Sequence, residues 1–188
     1  MQPNGQNGDA EDGPLASETH ARVLDVLDRR PIGREIHALS EPSLYLVRAR
    51  LNSDFNCEAG DYLDMESGNV GPLSQLRFRD LSGDANASLQ DAVKQSILFN
   101  PDPHLGFFNR VQNISLKVHG FQLLPGVGSS TARSWVTIRG QNGWVDLAEV
   151  SEKLGVEVVD LLAERYVGEL AEPAEVPSLL DLLVRVSA

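Results

Sequence analysis

The 188-residue sequence predicts an α+β protein, with a small β-barrel or strongly curved sheet in residues 19–83 and a helical domain in residues 84–170. In the first region, short β-rich segments are separated by Gly and Pro, which is typical of a small barrel. In the second region, apolar residues such as Leu89, Val93 and Ile97 recur at helical spacing. The strands and helices are therefore predicted to be segregated along the chain.

Residues 1–18 precede this pattern and differ from it in composition. They contain Asp9, Glu11, Asp12 and Glu18, no basic residue and almost no large apolar side chain. Such a segment buries too little apolar surface to offset the entropy that is lost on ordering. A disordered acidic tail is therefore predicted.

Three features indicate where the protein acts. The first residues lack the basic end and the apolar stretch of a signal peptide, and no apolar run approaches the ~20 residues of a membrane span. Cys57 is the single cysteine, which excludes an internal disulfide and fits a reducing compartment. We therefore expect a cytoplasmic protein with no membrane partner.

Two of the β-rich segments place arginines on a common face. Residues 44–50 alternate near their end, with Arg48 and Arg50 two positions apart, and residues 73–79 do the same with Arg77 and Arg79. If these strands pair, the four arginines form a cationic patch on the barrel. The alternative is an ordinary solvated outer face, and the sequence leaves both open.

The helical region ends in its longest amphipathic stretch, residues 156–170. Pro173 and Pro177 then mark a boundary. Residues 171–188 form a separate C-terminal segment, whose apolar positions fit either a strand or a helix. This segment can return to the β-rich half and close it.

The most informative motif is the turn Leu124-Pro125-Gly126-Val127-Gly128, which apolar residues precede and a predicted helix follows. This is the pattern of a helix-hairpin-helix module, placed in residues 114–139 with His119 at the end of the first helix. Backbone N–H groups of such a turn, with a helix N-terminus behind them, favour an anion such as a nucleic-acid phosphate. The alternative is a tight turn in a protein-packing element, with Gly126 or Gly128 supplying φ > 0.

The charge of the chain is unevenly distributed. Its net value of −11 argues against a simple nucleic-acid binder. Residues 101–140, however, contain four basic side chains against one acidic side chain, a balance of +3: Arg110, Lys117, Arg133 and Arg139 against Asp102. The hairpin motif therefore lies in a segment with a positive balance.

Sequence motifs of catalysis are missing. There is no P-loop, no dinucleotide-binding glycine motif and no nucleophile elbow, and His20, His37, His104 and His119 lack metal-ligand spacing. We therefore expect a protein that is not an enzyme and that has no cofactor or bound metal.

The residues around the turn resemble a known family. The resemblance is to the archaeal DUF655 family over roughly residues 20–170, and it is carried by Phe107-Phe108-Asn109, Ile114, Leu116-Lys117-Val118-His119 and Leu123-Leu124-Pro125-Gly126-Val127-Gly128. It implies an N-terminal OB-like β-barrel joined to a helix-hairpin-helix domain, in an uncharacterised protein that binds nucleic acid.

The same resemblance implies a link to ribosome biogenesis or translation. Genes of the family neighbour those for a ribosomal protein, an RNA polymerase subunit and an rRNA dimethyladenosine methyltransferase. Members often have basic residues after the second glycine, where this chain has Ser129 and Ser130. The two hydroxyls can still bond a phosphate, but we expect a weaker long-range attraction.

These observations lead to one functional hypothesis and one alternative. The hypothesis is a non-catalytic nucleic-acid-binding protein, with RNA favoured over DNA. Its predicted contacts are the hairpin, the charged side chains beside it and the four strand arginines: Gly126, Val127, Gly128, Ser129, Ser130, Arg133, His119, Lys117, Arg48, Arg50, Arg77 and Arg79. The alternative is a protein-interaction adaptor whose acidic C-terminal half docks on a basic ribosomal or RNA polymerase partner.

Overall fold

The structure, a computed structural model, describes residues 13–186 and combines one antiparallel sheet with six helices in that range. The strands are β1 His20–Arg29, β2 Gly33–Glu41, β3 Leu46–Arg50, β4 Tyr62–Asp64 and β5 Ser74–Gln75. The helices are α1 Gly83–Phe99, α2 Asp102–Arg110, α3 Ser129–Arg139, α4 Leu147–Leu154, α5 Val158–Ala171 and α6 Leu179–Leu183. The predicted α+β class is confirmed.

The sheet is open, so the predicted small OB-like barrel is not confirmed. The strand order is β4-β1-β2-β3-β5, and the two outer strands do not pair with each other. β4 pairs with β1 over three residues and β5 pairs with β3 over two. The chain leaves the sheet after Gln75 and forms a 3-10 turn at Phe78–Asp80. The strand predicted over residues 73–79 is therefore reduced to Ser74–Gln75, which is too short to close a barrel.

Both faces of the sheet are buried, by different parts of the chain. Successive strand residues face opposite sides. Ala38 and its pairing partner Val47 therefore point to a smaller core, which loop residues cover. Leu39 and its partner Leu46 point to a larger core that contains the helices.

The helical layer begins at a cap that is bonded to the sheet. The Ser82 hydroxyl accepts from the Ala85 N–H at 3.1 Å and donates to Asp25 Oδ2 at 2.6 Å. α1 then packs against β1, β2 and α5, with Leu89 and Val93 fully buried. The sheet and the helices therefore share one core.

A buried carboxylate fixes the start of α6. Glu169 is 4% exposed. It accepts from the N–H groups of Leu179 and Leu180 at 2.7 and 3.0 Å and from the Ser178 hydroxyl at 2.7 Å. Its Oε1 also lies 2.7 Å from Arg165 Nε. The acceptor oxygens of Glu169 therefore tie α6 to α5.

The chain returns to the sheet after α6. Arg185 donates to the carbonyl oxygens of Ser43 and Leu44 at 2.9 and 3.0 Å, and its guanidinium lies 4.1 Å from the Tyr45 ring centroid. These residues belong to the connection between β2 and β3. The C-terminal segment thus contacts the sheet as a short helix and an arginine anchor, and not as a strand.

The predicted tail falls partly outside the described residues, which begin at Gly13. Its last residues are folded, so the prediction of disorder up to residue 18 is wrong at that end. Leu15 packs against the smaller core, and Glu18 is buried with Oε2 accepting from the Ser43 N–H at 3.0 Å. A backbone donor therefore bonds one oxygen of a carboxylate that composition alone assigned to solvent, while Oε1 is buried without a hydrogen-bond partner among the described residues.

Residues 13–186 contain no helix that is long and apolar enough to cross a membrane. The same residues contain no group of three or more His, Cys, Asp or Glu side chains arranged to hold a metal ion.

Candidate nucleic-acid interface

The predicted tight turn is a β-turn of residues Leu124 to Val127. The Val127 N–H donates to the Leu124 carbonyl at 3.2 Å, with Pro125 and Gly126 at the two central positions. Gly126 has φ +73°, as the third residue of a type II turn requires. Leu124 and Val127 are buried and anchor the turn. The positive φ therefore belongs to Gly126.

Gly128 has a different role, because it is the N-cap of α3. Its backbone is extended, with φ −86° and ψ 179°, and its carbonyl accepts from the Ala132 N–H at 2.9 Å. Glycine has no side chain with which to cap the helix. Among residues 13–186, the N–H groups of Ser129, Ser130 and Thr131 have no hydrogen-bond acceptor. The end of α3 therefore presents free donors and the positive end of the helix dipole.

The surface above these donors is open. A Cβ added at Gly126 or at Gly128 would meet no atom within 4 Å. Ser129, Ser130 and Arg133 are exposed on the first turns of α3. The Val127 N–H, which was predicted as a phosphate donor, is already bonded to Leu124, so this part of the prediction is wrong.

Aromatic packing holds the turn in place from below. Phe121 is fully buried, with its ring centroid 5.9 Å from that of Phe108 and 5.5 Å from that of Trp135. Asn109 bonds both backbone groups of Trp144 at 2.8 Å. The Phe-Phe-Asn motif of the sequence thus supports the turn and the loop after α3.

His119 is the N-cap of a 3-10 turn at Gly120–Leu123, and not the end of a helix as predicted. Its Nδ1 accepts from the Phe121 N–H at 3.1 Å, and its own N–H donates to Gln122 Oε1 at 2.9 Å. Burial, and then the nearby Arg139 guanidinium, lowers the pKa of His119. The ring therefore caps the turn and is neutral at neutral pH.

The residues before His119 form a loop, which corrects the predicted helix of this region. The Ile114 N–H donates to the Val118 carbonyl at 2.8 Å, and Asn113 bridges His119 as in a short β-ladder. Ile114 and Leu116 are exposed on this loop. Lys117 is also exposed on this loop.

The positive balance of residues 101–140 is smaller at the surface than in the sequence. Arg139 is buried, and its Nη1 donates to the carbonyls of Phe108 and Val111 at 3.2 and 2.9 Å. Removing this charge from the predicted balance leaves three basic side chains against Asp102, or +2. Arg133 and His119 line one shallow cleft beside the turn, with Gln112, Asn113, Val136 and Thr137.

A second cationic surface lies on the sheet. Arg48 and Arg50 are exposed on one side of β3, opposite His37 and Glu35 of β2. Three clefts meet here. The cleft beside Arg50 and the middle cleft share Arg29, Glu35 and Arg48. The middle cleft and the cleft beside Arg185 share Gln75, Leu76 and Arg77. We call this continuous surface the arginine groove. Its arginines are Arg29, Arg34, Arg48, Arg50, Arg77, Arg79 and Arg185.

The arginines of the groove differ in their partners. Among the described residues, Arg48, Arg50 and Arg79 form no ion pair, whereas Arg77 Nε lies 2.6 Å from Asp80 Oδ2 and Arg29 Nε lies 3.5 Å from Glu35 Oε1. The structure thus brings the four predicted arginines along one groove. Arg77 and Arg79 do not share a strand face as predicted, because the chain turns at Phe78–Asp80.

A known family model covers most of the chain. The model described as "Protein of unknown function (DUF655)" matches residues 19–177. The chain belongs to the DUF655 family.

Two archaeal proteins are similar to this DUF655 member. The uncharacterized protein MJ0038 of Methanocaldococcus jannaschii is 22% identical over 167 residues, which is 85% of this chain and 77% of that protein. The crystal structure of Af1531 from Archaeoglobus fulgidus has a TM-score of 0.79 at 21% identity, covering 87% of this chain and 99% of that one. At this identity the structural likeness establishes the fold.

Sequence reasoning missed several residues of this DUF655 surface. Arg29, Arg34 and Arg185 line the groove, as do Tyr45 and Phe78. Arg185 reaches the groove only because α6 folds back, and it contacts Leu44 across a separation of 141 residues. The alternation around Arg48 indicated its strand face from the sequence, whereas no sequence pattern indicated the contact between Arg185 and Leu44.

Proposed function

We propose that this protein is a non-catalytic nucleic-acid-binding protein of the cytoplasm, with RNA as its preferred ligand. In this proposal, residues 114–139 form a helix-hairpin-helix module in which the 3-10 turn is the first helix and α3 is the second. The neighbourhood of ribosomal and transcription genes that the family resemblance implies supports a role in ribosome biogenesis or translation.

The observation that carries the proposal is the open N-terminus of α3. Three consecutive N–H groups there have no acceptor within residues 13–186, and no side chain caps them. Free amides at the positive end of a helix dipole bind anions, and phosphate is the anion that nucleic acids supply. Arg133 and the Ser129 and Ser130 hydroxyls add donors beside the same point.

The arginine groove supports the same proposal by charge complementarity. The chain has a net charge of −11, yet seven of its thirteen arginines line this one continuous surface. Arginine guanidinium groups match phosphate geometry and stay protonated at any physiological pH. Amides and guanidiniums bind phosphate without supplying a nucleophile or a general base, which supports a binding role without catalysis.

The test is a fluorescence-anisotropy titration with labelled single-stranded RNA, an rRNA fragment and duplex DNA. We expect the double variant Lys117→Ala, Arg133→Ala to bind every RNA sequence more weakly than the wild type. The matched control is Lys153→Ala on α4, an exposed lysine that lines neither cationic surface. Wild-type affinity in the double variant would exclude the hairpin side chains from the interface.

A further inference from the structure

We propose that the wide end of the arginine groove is a subsite for one unstacked base of a single-stranded RNA. This inference rests on the proposed function and names the form of nucleic acid that the groove accepts. The subsite is the cleft of about 870 Å³ at the end of the groove that Arg77, Arg79 and Arg185 line.

The wide end differs from the rest of the groove because it contains apolar and aromatic surface. Tyr45, Leu46, Leu76 and Phe78 line it together with the three arginines. Tyr45 and Phe78 are half-buried and line the cleft. A phosphate gains nothing from contact with such a surface, whereas the flat face of a base stacks on it favourably.

A fixed cation lies against one of these rings. The Arg185 guanidinium is 4.1 Å from the Tyr45 ring centroid and is held by the Ser43 and Leu44 carbonyls at 2.9 and 3.0 Å. Its Nη1 is also 3.5 Å from Asp181 Oδ1. Since the guanidinium lies over the ring and is already oriented, its outer face is a fixed plane that costs little entropy to use. Proteins stack exposed RNA bases on such aromatic and guanidinium planes.

The charges along the groove define where the phosphates run. Arg48, Arg50 and Arg79 are exposed and form no ion pair among the described residues, so they are free to contact a backbone. Glu172 at the rim of the wide end repels phosphate from the apolar cleft. The sugar-phosphate backbone of the RNA therefore follows the arginines, while one base enters the cleft.

This arrangement selects a single strand over a duplex. In a duplex, each base is stacked between its neighbours, and filling the cleft would require breaking a pair. A single strand presents its bases at a much smaller cost and gains stacking on the protein.

The test compares two RNA strands of roughly twelve nucleotides, within the site sizes of single-strand binders. One strand is intact, and the other has the same backbone with all of its bases removed. The wild-type protein should bind the abasic strand at least about fivefold more weakly than the intact strand, since each stacked base contributes ~1–3 kcal/mol. A duplex of the same length should also bind more weakly than the intact strand.

Variants locate the effect at the wide end. Tyr45→Ala should bind the intact strand as weakly as the abasic one, and the removal of bases should then have little further effect. Tyr45→Phe keeps the ring and should retain wild-type discrimination. If Tyr45→Ala does not fold, Phe78→Ala takes its place, and the comparison of strands on the wild-type protein requires no variant.

Three results would overturn the inference. Equal binding of intact and abasic strands by the wild type would show that the groove recognises only the backbone, and the proposed function would survive. A folded Tyr45→Ala variant with full discrimination would place the stacked base elsewhere. Failure of the wild type to bind any strand would overturn the proposed function as well.

Discussion

The hairpin and the arginine groove offer two different ways to hold a phosphate. At the hairpin the donors are backbone N–H groups, and their direction depends on the φ of +73° at Gly126 and on the start of α3. In the groove the donors are arginine side chains that project from strands and turns. The hairpin should therefore be sensitive to backbone geometry, and the groove to charge and salt.

The largest expected effect concerns the support of the groove. Glu169→Ala removes the acceptor of the Leu179 and Leu180 N–H groups and of the Ser178 hydroxyl, together with the buried carboxylate beside Arg165. Removing one partner of a buried pair costs ~3–5 kcal/mol. We expect a fall of about this size in the free energy of unfolding, measured by urea denaturation.

The control for this variant is Glu175→Ala. Glu175 Oε1 lies 2.6 Å from Nη1 of the same arginine, but its side chain is 44% exposed. Exposed pairs contribute at most about 1 kcal/mol. Similar losses of stability in both variants would show that Glu169 does not anchor α6. The proposed support of the wide end of the groove would then be wrong.

The second prediction separates the two hairpin glycines. Ala at Gly126 must adopt a positive φ, which costs ~1–2 kcal/mol, whereas Ala at Gly128 keeps an extended backbone and avoids this strain. Both variants place a methyl group on the open surface where a phosphate would approach. Both should therefore lose affinity for RNA, and thermal unfolding should show a lower midpoint for Gly126→Ala than for Gly128→Ala. Undiminished binding in both would remove the turn from the interface.

The third prediction concerns the charge of the groove. The double variant Arg48→Ala, Arg50→Ala removes two cations that form no ion pair among residues 13–186, so its unfolding free energy should change little. On a single strand each lost phosphate contact lowers the slope of log K against log salt by ~0.7, so the two arginines should lower it by about 1.4. Anisotropy titrations at several salt concentrations measure this slope. A wild-type slope would mean that β3 does not touch the backbone.

The smallest expected effect is a gain of affinity. Asp80 pairs with Arg77 at 2.6 Å on an exposed part of the groove. Asp80→Asn frees the guanidinium and removes a charge that repels phosphate, which should strengthen RNA binding by up to about fivefold, since such pairs contribute ~1 kcal/mol or less. Glu152→Gln on α4 makes the same change at an exposed site that lines neither surface and should leave the affinity unchanged. Weaker binding by Asp80→Asn would indicate that Asp80 orients Arg77 for the contact.

Features that depend on neighbouring residues were predictable from the sequence. The Pro125-Gly126 pair specifies its turn locally, and the alternation at Arg48 and Arg50 specifies a common strand face. The sequence could not show whether the sheet closes into a barrel, because closure depends on how far each outer strand pairs.

Features that depend on burial or on distant contacts were predicted wrongly or missed. The buried Arg139 was counted as surface charge, although its donors are used by the carbonyls of Phe108 and Val111. The wide end of the groove requires Arg185 and Tyr45 to meet, and the sequence between them gives no sign of this contact.

The most direct test of nucleic-acid binding is the salt dependence of wild-type binding to single-stranded RNA. If amides and arginines hold phosphates, log K should fall linearly with log salt, with a slope of several times −0.7. The contradicting result is no binding at low salt, together with capture of a basic ribosomal or RNA polymerase protein that is lost when Glu157, Asp160 and Glu164 on and beside α5 are neutralised. That result would replace the nucleic-acid proposal with an adaptor role for the acidic surface.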